Sequence, residues 1–199
     1  MKIEEQAQPS ENEVAFQQYV EDLQLKPDDF DKVILDVGAG DASFAKWAKD
    51  HDVSSKIYSL EPIQEMIEKE KGLIGNAEDI PMPNETFELI VSNAAIPNIY
   101  LGGDNVKEKV KKSFSEMLRV LKEGGEIRLA RVLMSRKYEP QRILTESVER
   151  VLNELQEKSN IKIEKIRTPT GDTYEYDENH NKKGLLAESY LIILQKTKK

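Results

Sequence analysis

Lys32-Val33-Ile34-Leu35-Asp36-Val37-Gly38-Ala39-Gly40-Asp41 is the stretch on which the reading of this chain turns. Lys32 to Val37 is a nearly continuous apolar run with one acid near its end, the pattern of a strand buried on both faces of a parallel sheet. Glycines at 38 and 40 let the backbone turn tightly and let a ligand approach without meeting a Cβ. Ser43, Phe44, Trp47 and Ala48 then begin a helix that ends near His51. Strand, glycine turn and helix in that order open a βαβ unit.

The alternation continues downstream. Lys56 to Leu60 reads as a strand, Ile63 to Lys71 as a helix, Gly72 to Ile74 as a short strand and Leu89 to Asn93 as the fourth strand. Lys107 to Leu121 is helical, with Lys122-Glu123-Gly124-Gly125 as its stop signal. Glu126 to Val132 is the fifth strand, Gln141 to Gln156 a helix, Ile161 to Ile166 the sixth strand and Ser189 to Gln195 the last. The pattern predicts an α/β fold, a doubly wound and mostly parallel sheet with helices on both faces. No internal repeat or low-complexity tract interrupts it.

Upstream, Ser10 followed by Glu13 has capping-box spacing, and Val14, Phe16, Tyr19, Val20 and Leu23 recur at helical intervals. Glu11 to Leu25 therefore reads as a helix, closed by Lys26-Pro27-Asp28-Asp29. Charge divides the chain at the same place. Residues 1–31 carry two basic and nine acidic side chains, and so most of the net charge of −8. We expect residues 1–30 to form an acidic helical arm or lid, and residues 31–199 a single ligand-binding domain. Such an arm argues against direct nucleic-acid binding, which needs clustered Lys and Arg, and a solvated leader is the plainer reading. No apolar run approaches the roughly 18 residues of a membrane span, and no basic segment followed by an apolar stretch opens the chain. Without cysteine, a thiol nucleophile, a thiolate zinc site and a cysteine-held iron–sulfur cluster are excluded, and the cytoplasm is the expected compartment.

In such sheets a ligand sits beyond the carboxyl ends of the strands, where strand order reverses. Glu61 closes the second strand there, and a carboxylate can accept hydrogen bonds from both hydroxyls of a ribose. A Gly-x-Gly pair with a later acid marks only a nucleoside. Two features favour S-adenosylmethionine (SAM) over a dinucleotide. Asp36 and Asp41 flank the glycines and would repel a pyrophosphate, but suit an ammonium and a sulfonium. After strand three, Gly75-Asn76-Ala77-Glu78-Asp79-Ile80-Pro81 is a polar loop in which Asn76 could accept the adenine amino group. The plainer alternatives are a strand-end turn former at Asp36 and an ordinary turn residue at Asn76.

These segments resemble the class I SAM-dependent methyltransferases. Val33 to Ala42 looks like their first motif, Glu61-Pro62-Ile63-Gln64-Glu65-Met66 their acidic ribose motif, and Gly75 to Pro81 their adenine loop. Phe87 to Asn93 resembles strand four, and Met117 to Gly125 the helix and turn before strand five, so the resemblance covers about residues 31–132. It implies a seven-stranded sheet of order 3-2-1-4-5-7-6 with strand seven antiparallel, and methyl transfer from SAM. By position it implies that Asp36, Gly38, Ala39 and Gly40 lie along the methionine part, Glu61 and Pro62 at the ribose, and Asn76 and Ala77 at adenine. Asn93 would sit near the methyl group and the acceptor. The third glycine of the first motif is Ala42 here, the acid of the adenine loop is Asn76, and strand four ends Asn93-Ala94-Ala95-Ile96 rather than in an Asn-Pro-Pro-Tyr tetrad.

The expected substrate is a small molecule with an oxygen or nitrogen acceptor. Alternatives are a protein or RNA substrate with a recognition partner, a SAM-binding sensor without turnover, and NAD-dependent oxidoreduction. No catalytic residue and no metal ligand is assigned. Phe16 and Tyr19 either lay an aromatic lid over the pocket or dock their helix on the sheet. Asp172, Tyr174, Tyr176 and His180, within Thr168 to Glu188, either supply a base or belong to an exposed hairpin or loop. His51 reads as a surface residue.

Overall fold

The computed structural model describes residues 9–66, 71–157 and 160–198. Helices α1 (Glu11–Asp22), α2 (Ser43–Asp50), α3 (Val106–Val120) and α4 (Glu139–Gln156) alternate with strands β1 (Ile34–Val37), β2 (Ile57–Glu61), β3 (Gly72–Ile74), β4 (Phe87–Asn93), β5 (Leu121–Met134), β6 (Ile161–Arg167), β7 (Thr173–Tyr176) and β8 (Lys182–Lys196). The sheet order is β3-β2-β1-β4-β5-β8-β6, and β7 pairs only with β8. This is the expected order, with the last strand renumbered because β7 precedes it. β8 runs antiparallel to β5 and β6, while β1 to β5 pair in parallel. None of the helices is long and apolar enough to cross a membrane, among the described residues.

Strand alternation sends side chains to two cores. Leu35, Val37 and Ile90 pack with Phe114 and Met117 of α3 and Val148 and Leu152 of α4. Ile34, Leu89 and Val91 pack on the opposite face, with Phe44 and Ala48 of α2 and Phe16 of α1. Asp36 and Asn93 fall on this second face, because they continue the alternation of Ile34 and of Val91. The chain winds from β1 outward to β3, returns to β4 beside β1, and then winds the other way. β1 and β4 therefore straddle the switch point, with Asp36 opposite Val91.

Three expectations are corrected. Lys122 to Gly125 do not separate α3 from β5: Leu121 is fully buried and already pairs with Phe87, and the next pair is Leu89 with Glu126. The intervening residues bulge out of the ladder. Gly124 there has φ of +81°, and a Cβ on Gly125 would come within 2.9 Å of the Glu88 carbonyl oxygen. The last strand begins at Lys182 rather than Ser189, because its first half pairs with β7 in a hairpin. The expected helix from Ile63 to Lys71 is a 3-10 turn over Gln64–Met66, and its remainder falls partly outside the described residues.

α1 begins as its sequence indicates, with the Ser10 hydroxyl oxygen accepting from the Glu13 N–H at 3.2 Å. Its aromatic stripe lies on α2. Phe16 stacks on Trp47 and Phe44, and Tyr19 on Phe44, with centroid separations of 4.2, 5.6 and 4.5 Å. Beyond α1, Leu23 and Leu25 are buried, and Asp29 forms a buried ion pair with Arg128 of β5 at 3.0 Å. Burial opposes the charge on Asp29, but hydrogen bonds from Lys32 and the Lys26 N–H, with the Arg128 charge, hold its carboxyl below the usual range. The docking alternative thus describes Phe16.

Candidate ligand site at the carboxyl edge

The turn after β1 is held by β2. The N–H groups of Gly38 and Ala39 donate to the Leu60 carbonyl oxygen, at 2.9 and 3.2 Å. Gly38 has φ of +77°, and a Cβ there would lie 2.5 Å from that of Ala95, so the turn fits closely under the loop after β4. Gly40, at φ of +56°, has nothing within 4 Å of where its Cβ would be. Open backbone at Gly40 is what a ligand in contact with this turn requires. Ala42 also takes a left-handed backbone, at φ of +60°, and caps α2 without a glycine.

Six expected residues meet here. Asp36 is fully buried, and its Oδ2 has no hydrogen-bond partner. Glu61, at the end of β2, accepts from the Gly40 N–H at 3.2 Å. It is only 8% exposed. Gly38, Pro62, Asn76 and Ala77 join Leu60 and Ile96 around a small cleft beside the turn. Asn76 is exposed and Ala77 buried, and the Asp79 N–H closes the turn by donating to the Asn76 carbonyl oxygen at 3.0 Å. Asp41, the second acid flanking the glycines, is tied to the first residue of α2. It accepts from the Ser43 hydroxyl at 2.7 Å and the Ser43 N–H at 3.1 Å, and the hydroxyl bond foremost holds its carboxyl low.

Asn93 ends β4 on the α1 side. Its Nδ2 donates to Asp22 of α1 at 3.1 Å, and its Oδ1 is buried without a partner. Arg131 Nε donates to the same Asp22 oxygen at 2.6 Å. Arg131 lies where the β5–β8 register shifts, with φ of +53°. With Gln18, Thr168 and Thr170 it lines a cavity between α1 and the loop after β6.

Sequence reasoning missed how α3 fixes the loop after β3. Arg119 donates from Nη2 to the Ile80 carbonyl oxygen at 2.9 Å and from Nη1 to that of Met82 at 2.8 Å. Glu116 accepts from the Ile80 N–H at 3.1 Å and binds Arg119 at 2.7 Å. Their spacing of three on a helix was the available signal. Tyr19, considered only as an aromatic surface, also donates its hydroxyl to Asp36 Oδ1 at 3.4 Å. The candidate base region is a hairpin, in which Asp172 is tied to Arg167 Nη2 at 2.6 Å and to the Ser189 N–H. His180 is exposed at the hairpin turn, and His51 is exposed at the end of α2.

Residues 35–129 match the family model described as a methyltransferase domain. No curated protein matches the chain. Among solved structures it is similar to the YcgJ protein from Bacillus subtilis, at 17% identity and a TM-score of 0.54 over 83% of this chain and 92% of that one. A SAM-dependent methyltransferase from Methanosarcina mazei is similar at 16% identity and a TM-score of 0.53, over 84% and 93% of the two chains. At these identities the likeness is one of fold.

Proposed function

We propose that this chain, whose residues 35–129 match a methyltransferase-domain family, is a class I SAM-dependent methyltransferase that transfers a methyl group from SAM to a small-molecule oxygen or nitrogen acceptor. The observation that carries the reading is Asp36: a fully buried carboxylate at the sheet's switch point, one oxygen unpartnered, beside open backbone at Gly40. Buried acceptors are almost always filled, so an empty one at this edge asks for a ligand that donates. The ammonium of SAM is such a group. Asp36 would hold it, with Gly38, Ala39 and Gly40 along the methionine chain. Glu61 and Pro62 would take the ribose, and the Asn76–Ala77 turn the adenine. Asn93 would face the acceptor side.

SAM brings a methyl group already activated by its sulfonium, so the protein's share of the work is alignment. The α3 clamp holds the loop after β3, β2 holds the glycine turn, and α1 covers Asp36 and Asn93 from above. The polar cavity beside Arg131 is of small-molecule size and supports an acceptor of that class. SAM and S-adenosylhomocysteine should raise the melting temperature of the purified protein, as any native-state ligand does. A shift with NAD but with neither SAM species overturns the reading. Incubation with methyl-labelled SAM and fractionated extract then places the acceptor: label in the low-mass fraction supports the proposal. Label in the high-mass fraction means a macromolecular substrate, and binding without label means a sensor.

A further inference from the structure

α1 lies outside the segment matched by the methyltransferase-domain family model, yet two of its side chains reach the edge of the sheet. Tyr19 and Asp22 stand three residues apart, on one face of the helix. Each meets a different strand end. The Tyr19 hydroxyl donates to Asp36 Oδ1 at 3.4 Å, and Asp22 accepts from Asn93 Nδ2 at 3.1 Å. A carboxylate only accepts, so the Asn93 amide nitrogen must face Asp22, and the chemistry fixes which way the amide points. Both contacts end alike. One atom of the strand residue is taken, and a buried oxygen of the same side chain is left without a partner, Oδ2 of Asp36 and Oδ1 of Asn93. The two residues lie on adjacent strands, and their side chains on the same sheet face. Two empty acceptors under one roof match a ligand group with several N–H donors, which is a primary ammonium.

We propose that Tyr19 and Asp22 are positioning residues for the ammonium end of the ligand: each holds a strand-end side chain so that its free oxygen faces the N–H donors. This rests on the SAM reading above. Tyr19 is well placed to do so without moving, because its ring is stacked on Phe44 at an interplanar angle of 16°. Asp22 is steadied in turn by Arg131.

The test compares S-adenosylhomocysteine with 5′-methylthioadenosine, which keeps the nucleoside and sulfur but lacks the amino-acid end. Tyr19→Phe keeps the ring and its stacking, so α1 stays seated. By calorimetry it should weaken S-adenosylhomocysteine about five- to tenfold, the worth of one hydrogen bond in a buried site, and leave methylthioadenosine within about twofold. Asp22→Ala should show the same selectivity, and Asp22→Asn, which keeps an acceptor oxygen for Asn93, should recover most of the affinity. Equal weakening of both ligands makes α1 a mere cover and overturns the proposal, as does unchanged affinity in Tyr19→Phe. Wild-type protein that binds neither ligand defeats the SAM reading itself, and the inference with it.

Discussion

Asp36 and Glu61 end neighbouring parallel strands, yet the fold treats the two acids differently. Glu61 accepts from the Gly40 N–H, whereas Asp36 has a buried oxygen without a partner. Charge-assisted bonds are worth about 1.5–3 kcal/mol each, less desolvation, so Glu61→Ala should weaken SAM ten- to several-hundred-fold at about 1.4 kcal/mol per decade. Glu61→Gln, which keeps one acceptor, should fall between; equal affinity across the three proteins in titration calorimetry would remove Glu61 from the ribose. Because Glu61 is buried, the apo protein should also feel the change, by a few degrees in melting temperature. Asp36 is pushed up from 3.8 to about 8, chiefly by burial; the Tyr19 hydrogen bond opposes this and the Glu61 charge adds to it. Among the described residues, Glu61 from β2 and Tyr19 from α1 are the titratable groups that act on Asp36, and Asp41 acts in turn on Tyr19. The folded protein therefore holds a proton that the unfolded chain has released, and stability falls as pH rises from about 4 to 8. An ammonium needs the charged form, so below about pH 8 SAM binding must release a proton. Affinity should climb with pH up to about 8 and then level off, with a binding enthalpy that depends on the buffer's own ionisation heat. In Asp36→Asn the affinity should be lower and this pH dependence lost; a flat wild-type profile would show that Asp36 does not meet the ammonium.

Among the elements, α3 has two duties, because its apolar face fills one core while Glu116 and Arg119 grip the loop after β3. Arg119→Ala frees two carbonyl oxygens at once, and it should weaken adenosine-containing ligands about tenfold with little change in secondary structure by circular dichroism. The β1 turn, β2 and α2 could be read from residues 32–61 because local pattern and tertiary demand agree there: an apolar strand, glycines with positive φ, and an apolar stripe with Phe44 and Ala48 inward. The excursion at Lys122 to Gly125 could not. Helix-stop chemistry is the same whether a loop follows or a strand resumes, and only Leu121 docking opposite Phe87 decides between them. β7 was equally hidden, since Thr173–Tyr176 is half exposed and gains its strand character from pairing with β8. What was legible of the candidate site was the placement of Asp36 and Glu61 at neighbouring strand ends, because each closes an apolar run. Asp41 could serve the ligand or the start of α2, and Ser43 claimed it.

For the whole molecule, the question is whether residues 1–30 are an arm on an independent domain. Packing sets the expected answer to truncation. Removing residues 1–31 uncovers Phe44 and Trp47 and strips Arg128 of Asp29 and of the Leu23 and Gln24 carbonyl oxygens, leaving Glu126 as its remaining acidic partner among the described residues. Asp29→Ala alone should cost about 3 kcal/mol in urea unfolding, near the lower end for breaking a buried pair. The truncated protein should lose more than that, and a truncation that unfolds as cooperatively as the full chain, at the same midpoint, would establish the arm as a separable lid. The contact between Phe16 and Trp47 supplies a way to watch this without labels. Trp47 is the chain's single tryptophan, with Phe16 of α1 stacked 4.2 Å away and the His51 ring stacked at 4.0 Å. Its indole N–H is buried without a partner. Any motion that lifts α1 carries Phe16 off the indole and admits water to that N–H, so the emission should move to longer wavelength. One native fluorophore, sitting at the seam between arm and sheet, would thus report helix seating in stopped flow, separately from global unfolding seen by circular dichroism.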